Sequence, residues 1–388
     1  MPYDKEEASL LSSRKRSKLR LLFLTFLLTQ LLSQGINSRS QAQHMEPLHK
    51  ETAAEAGTIQ LQVKASPGAL YQTELSFVNK TLQRALEEST AGDASLEPIP
   101  PDTTLMYYKK GQPLHLGVTP SGDVVDWTSK QQINLPKSAQ ETLQAQVQSL
   151  RTKHYGEMLP WEEASLVLPK YSSFTVVDVM SGLSFEGQRR AGSHHADVQP
   201  LTKTDSATLK SIYGGQWSWD RRAVLVKLNG RTLAASMHGM PHGGDGIPGN
   251  DFNGHFCIHF LGSVTHGSRS ADPAHQVMVH RAAGLLLDYV SKLSPWALID
   301  VWISAAHQGD LQLLQVTTGQ EQAMHVRSMR RLSKFKELDT SQLLQFDTAV
   351  DVTMTGAKAS AVSSRRVLFH LERASVQDRW YIRSAVIQ

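Results

Sequence analysis

Apolar positions recur along the chain at two spacings, and the balance between them shifts near residue 174. Ile59, Leu61 and Val63 alternate with polar residues as one side of a strand does. Leu75, Val78, Leu82 and Leu86 fall three or four apart and predict a helix. A Pro/Asp-rich stretch from Glu97 to Asp102 interrupts this pattern. Tyr107 to Trp127 then reads as strands broken at Lys110-Gly111 and at Pro120-Ser121-Gly122-Asp123. Ser138 with Glu141 forms a capping-box pattern ahead of Leu143, Val147 and Leu150, and Pro160 opens a shorter helix reaching Leu168.

From Phe174 the two-residue period dominates. Phe174 to Met180 and Leu183 to Phe185 flank Ser181-Gly182, and Val224 to Leu228 meets Arg231 to Met237 across Asn229-Gly230, the strongest hairpin signal in the chain. Asp205 to Tyr213 reads as a short helix stopped by Gly214-Gly215. Asp272-Pro273 begins a helix on which Met278, Ala282, Leu285, Tyr289 and Leu293 share a face, and Ser294-Pro295 caps another running to His307. Beyond it only strand-like runs are expected, at Phe335 to Leu338, Phe346 to Met354, Val367 to Leu371 and Trp380 to Ile387.

These patterns predict an α+β protein with a central, mostly antiparallel β domain at 170–273. An N-terminal α+β module at 58–169 and a C-terminal helix-plus-curved-sheet domain at 274–388 flank it. The C-terminal order of elements loosely resembles nuclear-transport-factor-2-like accessory domains.

Residues 1–42 read as a signal peptide and 43–57 as a linker. Arg14, Lys15, Arg16, Lys18 and Arg20 form a basic stretch before the apolar run Leu21 to Leu32, which is shorter than the roughly 20 residues of a comfortable membrane span. Ser40-Gln41-Ala42 offers small residues at both positions a signal peptidase reads, so cleavage after Ala42 is expected and membrane attachment only through an uncleaved segment. The formal charge of the 388-residue chain is +4, but residues 1–42 hold seven Lys/Arg against three Asp/Glu, and the rest carries 33 of each sign. Nothing in that balance favours nucleic acid as a partner.

Chemistry gathers in the middle of the chain. Nine of the 16 histidines, His194, His195, His238, His242, His255, His259, His266, His275 and His280, lie within positions 194 to 280. Among them stands the only cysteine, Cys257, which can form no disulfide within the chain. In His255-Phe256-Cys257-Ile258-His259-Phe260 strict alternation puts His255, Cys257 and His259 on one side of a strand and three apolar residues on the other. A thiol between imidazoles is the setting in which a thiol pKa falls and a reactive thiolate is held.

With the hairpin delivering Ser236 to Gly244 just upstream, the arrangement resembles the catalytic domain of the L,D-transpeptidases of YkuD type over about residues 174–273. The features that carry the resemblance are His238-Gly239 and His242-Gly243, the glycines of Gly246-Ile247-Pro248-Gly249, and Gly254-His255-Phe256-Cys257-Ile258-His259. The resemblance implies a cysteine nucleophile at Cys257, a base at His238 or His242, and a positioning or oxyanion role for His255, with no cofactor. Gly243, Gly254, His259 and Trp219 would line the substrate. His238 lies 19 and His242 15 residues before Cys257, so spacing leaves the base open. Phe256 stands where the family has glycine and His259 where it has a basic or amide residue.

The expected function is therefore that of an exported, cell-wall-associated transferase or hydrolase acting on peptidoglycan stem peptides through a thiol. A non-catalytic wall-binding protein retaining the fold is one alternative. A zinc-dependent peptidoglycan hydrolase with ligands drawn from His195, Asp197, His255 and His259 is another. At about 3.3 Å per strand residue, His255 and His259 lie too far apart for one ion to take both along with Cys257.

Overall fold

The computed structural model describes residues 57–93, 99–109, 111–244, 246–265, 270–321, 326–332, 338–356 and 361–388. The expected signal peptide and nearly all of the linker lie outside these residues, as do His266 and most of the run Phe335 to Leu338. Glu55 to Gln388 forms a single compact unit. No helix among the described residues is long and apolar enough to cross a membrane.

The architecture is α+β with three antiparallel sheets. The first is seven-stranded, in the order β2-β1-β4-β5-β6-β7-β3. Its strands are β1 (Thr58–Val63), β2 (Thr73–Val78), β3 (Thr90–Asp93), β4 (Thr103–Lys109), β5 (Gln112–Val118), β6 (Val124–Asp126) and β7 (Gln131–Asn134). Helices α1 (Lys80–Glu88) and α2 (Lys137–His154) belong to this part, followed by α3 (Trp161–Val167). Leu75 and Val78, expected on a helix, lie on β2, because Asn79 caps α1 by accepting the Leu82 N–H and so fixes the helix start after them. The expected capping box at Ser138 does not form. Helix α2 already begins at Lys137 behind Pro136, which leaves Ser138 inside its first turn.

The central part closes into a six-stranded barrel. Strands β8 (Ser173–Asp178), β9 (Ser184–Ala191) and β10 (Ala196–Pro200) form one meander, and β11 (Arg222–Leu228), β12 (Arg231–Met237) and β13 (Phe256–His259) form another. They join edge to edge in the order β10-β13-β12-β11-β8-β9, so no strand of this sheet presents an open edge. Helix α4 (Lys203–Ile212) links the meanders and begins at a capping box between Thr202 and Asp205. Alternate residues of all six strands, among them Phe174, Phe185, Val198, Val226, Leu233, Phe256 and Ile258, fill the interior as one cluster. The opposite parity, represented by Val177, Leu225 and Ala234, points outward into a second, larger cluster that runs through the rest of the molecule.

That second cluster includes α5 (Pro273–Ala282), α6 (Leu286–Ser291), α7 (Pro295–Gln308) and α8 (Leu311–Thr318). It continues into the four-stranded sheet β14 (Val326–Arg331), β15 (Gln345–Gly356), β16 (Ser363–Glu372) and β17 (Tyr381–Ile387). The long helix expected from Asp272 onward breaks in two at Gly284, where φ is +71° and the Tyr155 ring leaves no space for a Cβ. Helix α8 and strand β14 were not anticipated. Residues 311–318 are too short to show a helical period, and the helix is fixed by its ends, Asp310 at the N-cap and left-handed Gly319 at the C-cap. Helix α5 packs across the outer faces of β11, β12 and β13, and it is this cover that creates the site described next.

Candidate functional site

Strand β13 divides its side chains between two environments. Phe256, Ile258 and Phe260 are fully buried among the interior apolar residues, and Phe256 packs near Phe185 and Phe252. His255, Cys257 and His259 point the other way. Phe256 therefore lies on the opposite side of the strand from the thiol and does not obstruct it.

Strand pairing builds the rest. Asp197 on β10 is the register partner of Cys257, and Ser236 on β12 is the partner of His259. Beyond the end of β12 the chain turns back, and His242 makes a two-way backbone bridge to His255, with N···O distances of 3.0 and 2.8 Å. The bridge depends on Gly254, at φ +105°, where a Cβ would sit 2.3 Å from the His242 carbonyl oxygen. Gly243 is similarly confined by the His255 ring. These two glycines, expected to line substrate, permit the close approach of 242 to 255.

Six imidazoles form a belt around Cys257. Ring-centroid separations run 4.5 Å from His195 to His259, 3.8 Å to His275, 6.0 Å to His238, 5.2 Å to His242 and 4.4 Å to His255. His259 is stacked nearly parallel between His195 and His275 and is buried, so it forms part of the packed layer and not of an accessible substrate surface. Asp197 Oδ1 lies 3.3 Å from His195 Nε2 and 3.7 Å from His255 Nε2. His194 is exposed, and His280 stacks on Tyr289 with Nδ1 donating to the Gln276 carbonyl, outside the belt.

Hydrogen bonds distinguish the two histidines that spacing left open. His242 Nδ1 lies 3.0 Å from the Met240 carbonyl oxygen, which can only accept, so the proton sits on Nδ1 and the Nε2 lone pair is free. That Nε2 lies 3.4 Å from Cys257 Sγ. His238 has the opposite arrangement. The Met240 N–H donates to its Nδ1 at 3.4 Å, which places the neutral ring's proton on Nε2 and removes its basic nitrogen from the thiol. Burial, reinforced by His242, holds His238 well below the usual histidine range. Of the two, His242 is the residue placed to accept the thiol proton.

Burial pushes the Cys257 thiol up, Asp197 adds to the shift, and Arg221 opposes it. The expectation of a lowered thiol pKa is thus reversed. Imidazoles lower a thiol pKa by carrying positive charge, and here burial, the larger effect, and the Asp197 carboxylate both favour the neutral thiol. At rest Cys257 is held as the neutral thiol. Cys257 itself is 4% exposed, whereas His242 and His255 are half-buried, Gly243 and Gly244 are exposed, and Trp219 is 46% exposed. The Trp219 ring stands 4.6 Å from His238 and 5.2 Å from His242, so these residues form the rim.

The same groups offer metal-ligand geometry. Ligand atoms of His195, Cys257 and His259 lie within 4.8 Å of one another, as do those of His238, His242 and Cys257, and of Asp197, His255 and Cys257. Cys257 is common to all three sets, and none contains both His255 and His259, as their separation along one strand requires.

Sequence reasoning gave no role to Ser236 or Met240, and it counted His275 among the clustered histidines without assigning it one. His275 Nδ1 lies 2.9 Å from Ser236 Oγ, and burial, with His259 next, holds its pKa well below the usual range. No spacing signal links a residue on α5 to one on β12. Ser236 had a legible sign, since it stands two residues before His238 on the same strand parity. No protein-family model, curated protein or solved structure matches the chain.

Proposed function

We propose that the protein is an exported cell-envelope enzyme that transfers or hydrolyses acyl groups of peptidoglycan stem peptides through Cys257. The observation that carries this reading is the Cys257–His242 pair, in which the Met240 carbonyl fixes the tautomer that leaves Nε2 facing Sγ at 3.4 Å. Because the resting thiol is neutral, deprotonation and attack are coupled. As Sγ approaches a substrate carbonyl carbon, its proton passes to His242 Nε2 and the S–C bond forms. The resulting imidazolium returns that proton to the departing amine as the C–N bond breaks, which leaves a thioester. An acceptor amine or water then attacks the thioester, giving its proton to Nε2, and the thiol is regenerated as the C–S bond breaks. His255 braces the backbone of His242, and Trp219 offers an apolar face at the rim. No cofactor enters this scheme.

The three ligand sets around Cys257 favour a second reading, a zinc site in which the metal would deprotonate the buried thiol. One experiment separates the two. Purified protein incubated with a carbapenem near neutral pH should gain a single covalent adduct at Cys257 by intact mass and peptide mapping, unaffected by chelator. Stoichiometric zinc by elemental analysis, lost on Cys257→Ser, would replace the thiol mechanism. Absence of both adduct and zinc, with cell-wall binding equal in wild type and Cys257→Ser, would leave a non-catalytic wall-binding protein.

A further inference from the structure

Two Asn-Gly pairs occur in the chain, Asn229-Gly230 and Asn253-Gly254, and both asparagines are exposed. An asparagine followed by glycine can cyclise, because a following residue without a Cβ leaves its amide nitrogen open to the side-chain carbonyl carbon. What differs is the restraint on each pair. Asn229 sits at φ +50° in a two-residue hairpin loop closed by the Leu228–Arg231 ladder pair. Asn253 lies outside the strands and helices, and among the described residues neither its carboxamide nor the Gly254 N–H makes a hydrogen bond.

The chain on either side of Asn253 is held. Phe252 is buried and its N–H donates to Asn250 Oδ1 at 2.9 Å, while Asn250 Nδ2 donates to the Pro200 carbonyl at 2.8 Å. On the other side His255 makes its backbone bridge to His242. Only residues 253 and 254 separate the two anchors, and Gly254 is pressed against the His242 carbonyl.

We infer that Asn253 is a site of spontaneous deamidation whose isoaspartate product breaks the His242–His255 bridge; its effect on catalysis rests on the thiol mechanism proposed above. The Gly254 nitrogen, losing its proton, bonds to Asn253 Cγ, and the Cγ–Nδ2 bond breaks so that Nδ2 leaves with that proton as ammonia. Water then opens the cyclic imide, its hydroxyl going to one carbonyl carbon and its hydrogen to the Gly254 nitrogen. Opening at Cγ gives aspartate. Opening at the main-chain carbonyl carbon gives isoaspartate, in which the chain runs through Cβ and Cγ and is longer by one carbon, about 1.5 Å. Between two fixed anchors that extra length displaces Gly254 and the bridge, and His242 Nε2 loses its place opposite Cys257 Sγ.

The test is to age the purified full chain in warm, mildly alkaline buffer and to follow its tryptic peptides by mass spectrometry, with fragmentation that separates aspartate from isoaspartate. Trypsin cuts after Arg231 and Arg269, so Asn253 and Cys257 share one peptide and Asn229 lies on another. Conversion at Asn253 is expected to be at least about 10-fold faster than at Asn229, where ring closure must first give up about one net backbone hydrogen bond of the hairpin. When aged samples are treated with a carbapenem, peptides with isoaspartate at 253 should gain the Cys257 adduct at least about 10-fold more slowly than those with asparagine or aspartate, since the base has been withdrawn. Asn253→Gln, whose longer side chain must close a larger ring, should keep its acylation rate through the same ageing. Conversion at Asn253 no faster than at Asn229, or adduct forming on isoaspartate peptides at the rate of unconverted ones, would overturn the inference. Fresh protein that forms no adduct at all would fail the thiol mechanism, and the two conversion rates alone would then decide the deamidation site.

Discussion

His242 and His255 hydrogen-bond to each other through both backbone N–H groups, and this bridge holds the His242 ring where its Nε2 meets Cys257 Sγ. The bridge is local, joining a loop that leaves β12 to the start of β13. Its geometry nevertheless sets which of two nearby histidines presents Nε2 to the thiol.

Gly254→Ala places a Cβ 2.3 Å from the His242 carbonyl oxygen at a backbone angle, φ +105°, that L-residues rarely adopt. The expected cost is about 1 to 3 kcal/mol of stability, with loss of the bridge. Chemical denaturation measures the first. The second should appear as slowed acylation of Cys257 at a temperature where the variant is still folded. Unchanged acylation would show that the bridge does not position His242.

Replacing the two histidines one at a time should give unequal results. His242→Gln removes the Nε2 lone pair from the thiol and should slow acylation by at least about 100-fold. His238→Gln should slow it by less than about 10-fold, because the His238 Nδ1 is occupied by the Met240 N–H. Rates from time-resolved intact mass decide the matter, and a reversed order would move the base to His238.

His154 makes stability depend on pH. It is fully buried against Tyr71 and hydrogen-bonded to Thr73, and burial lowers its pKa from 6.5 to about 4, with Arg151 adding and Asp102 opposing. A depressed histidine pKa means that the unfolded chain takes up a proton which the folded chain refuses. Its contribution is thus fully present above pH 6.5 and is lost as pH falls from 6.5 toward about 4. The loss between pH 7.5 and 4.5 should be about 2 to 3 kcal/mol from this residue. Urea unfolding at the two pH values measures it, and His154→Gln should shrink the difference by that amount.

Cleavage of the N-terminal segment has a direct readout. The basic stretch, the short apolar run and Ser40-Gln41-Ala42 predict that the exported protein begins at Gln43. Intact mass of protein recovered outside the cytoplasm should match that start. An uncleaved, membrane-bound form would point to an anchor.

Short-range rules acting on the sequence determined the α+β class, the Asn229-Gly230 hairpin and the division of β13 into an apolar and a polar side. A strand's period of two and a turn's need for positive φ are properties of adjacent residues, so they are legible without a fold. The gathering of histidines near Cys257 was legible in the same way. The placement of His242 Nε2, and not a free nitrogen of His238, against the thiol was not, because it depends on which ring nitrogen meets the Met240 carbonyl and which meets its N–H. Nor was the direction of the Cys257 shift, which follows from the cover that α5 lays over the barrel and from Asp197 on a strand 60 residues away in sequence. Closure of the sheet into a barrel and the stacking of His259 between His195 and His275 were likewise decided by tertiary structure. Burial and charge proximity are sums over neighbours brought in from distant segments, and a sequence lists residues without saying which of those neighbours arrive.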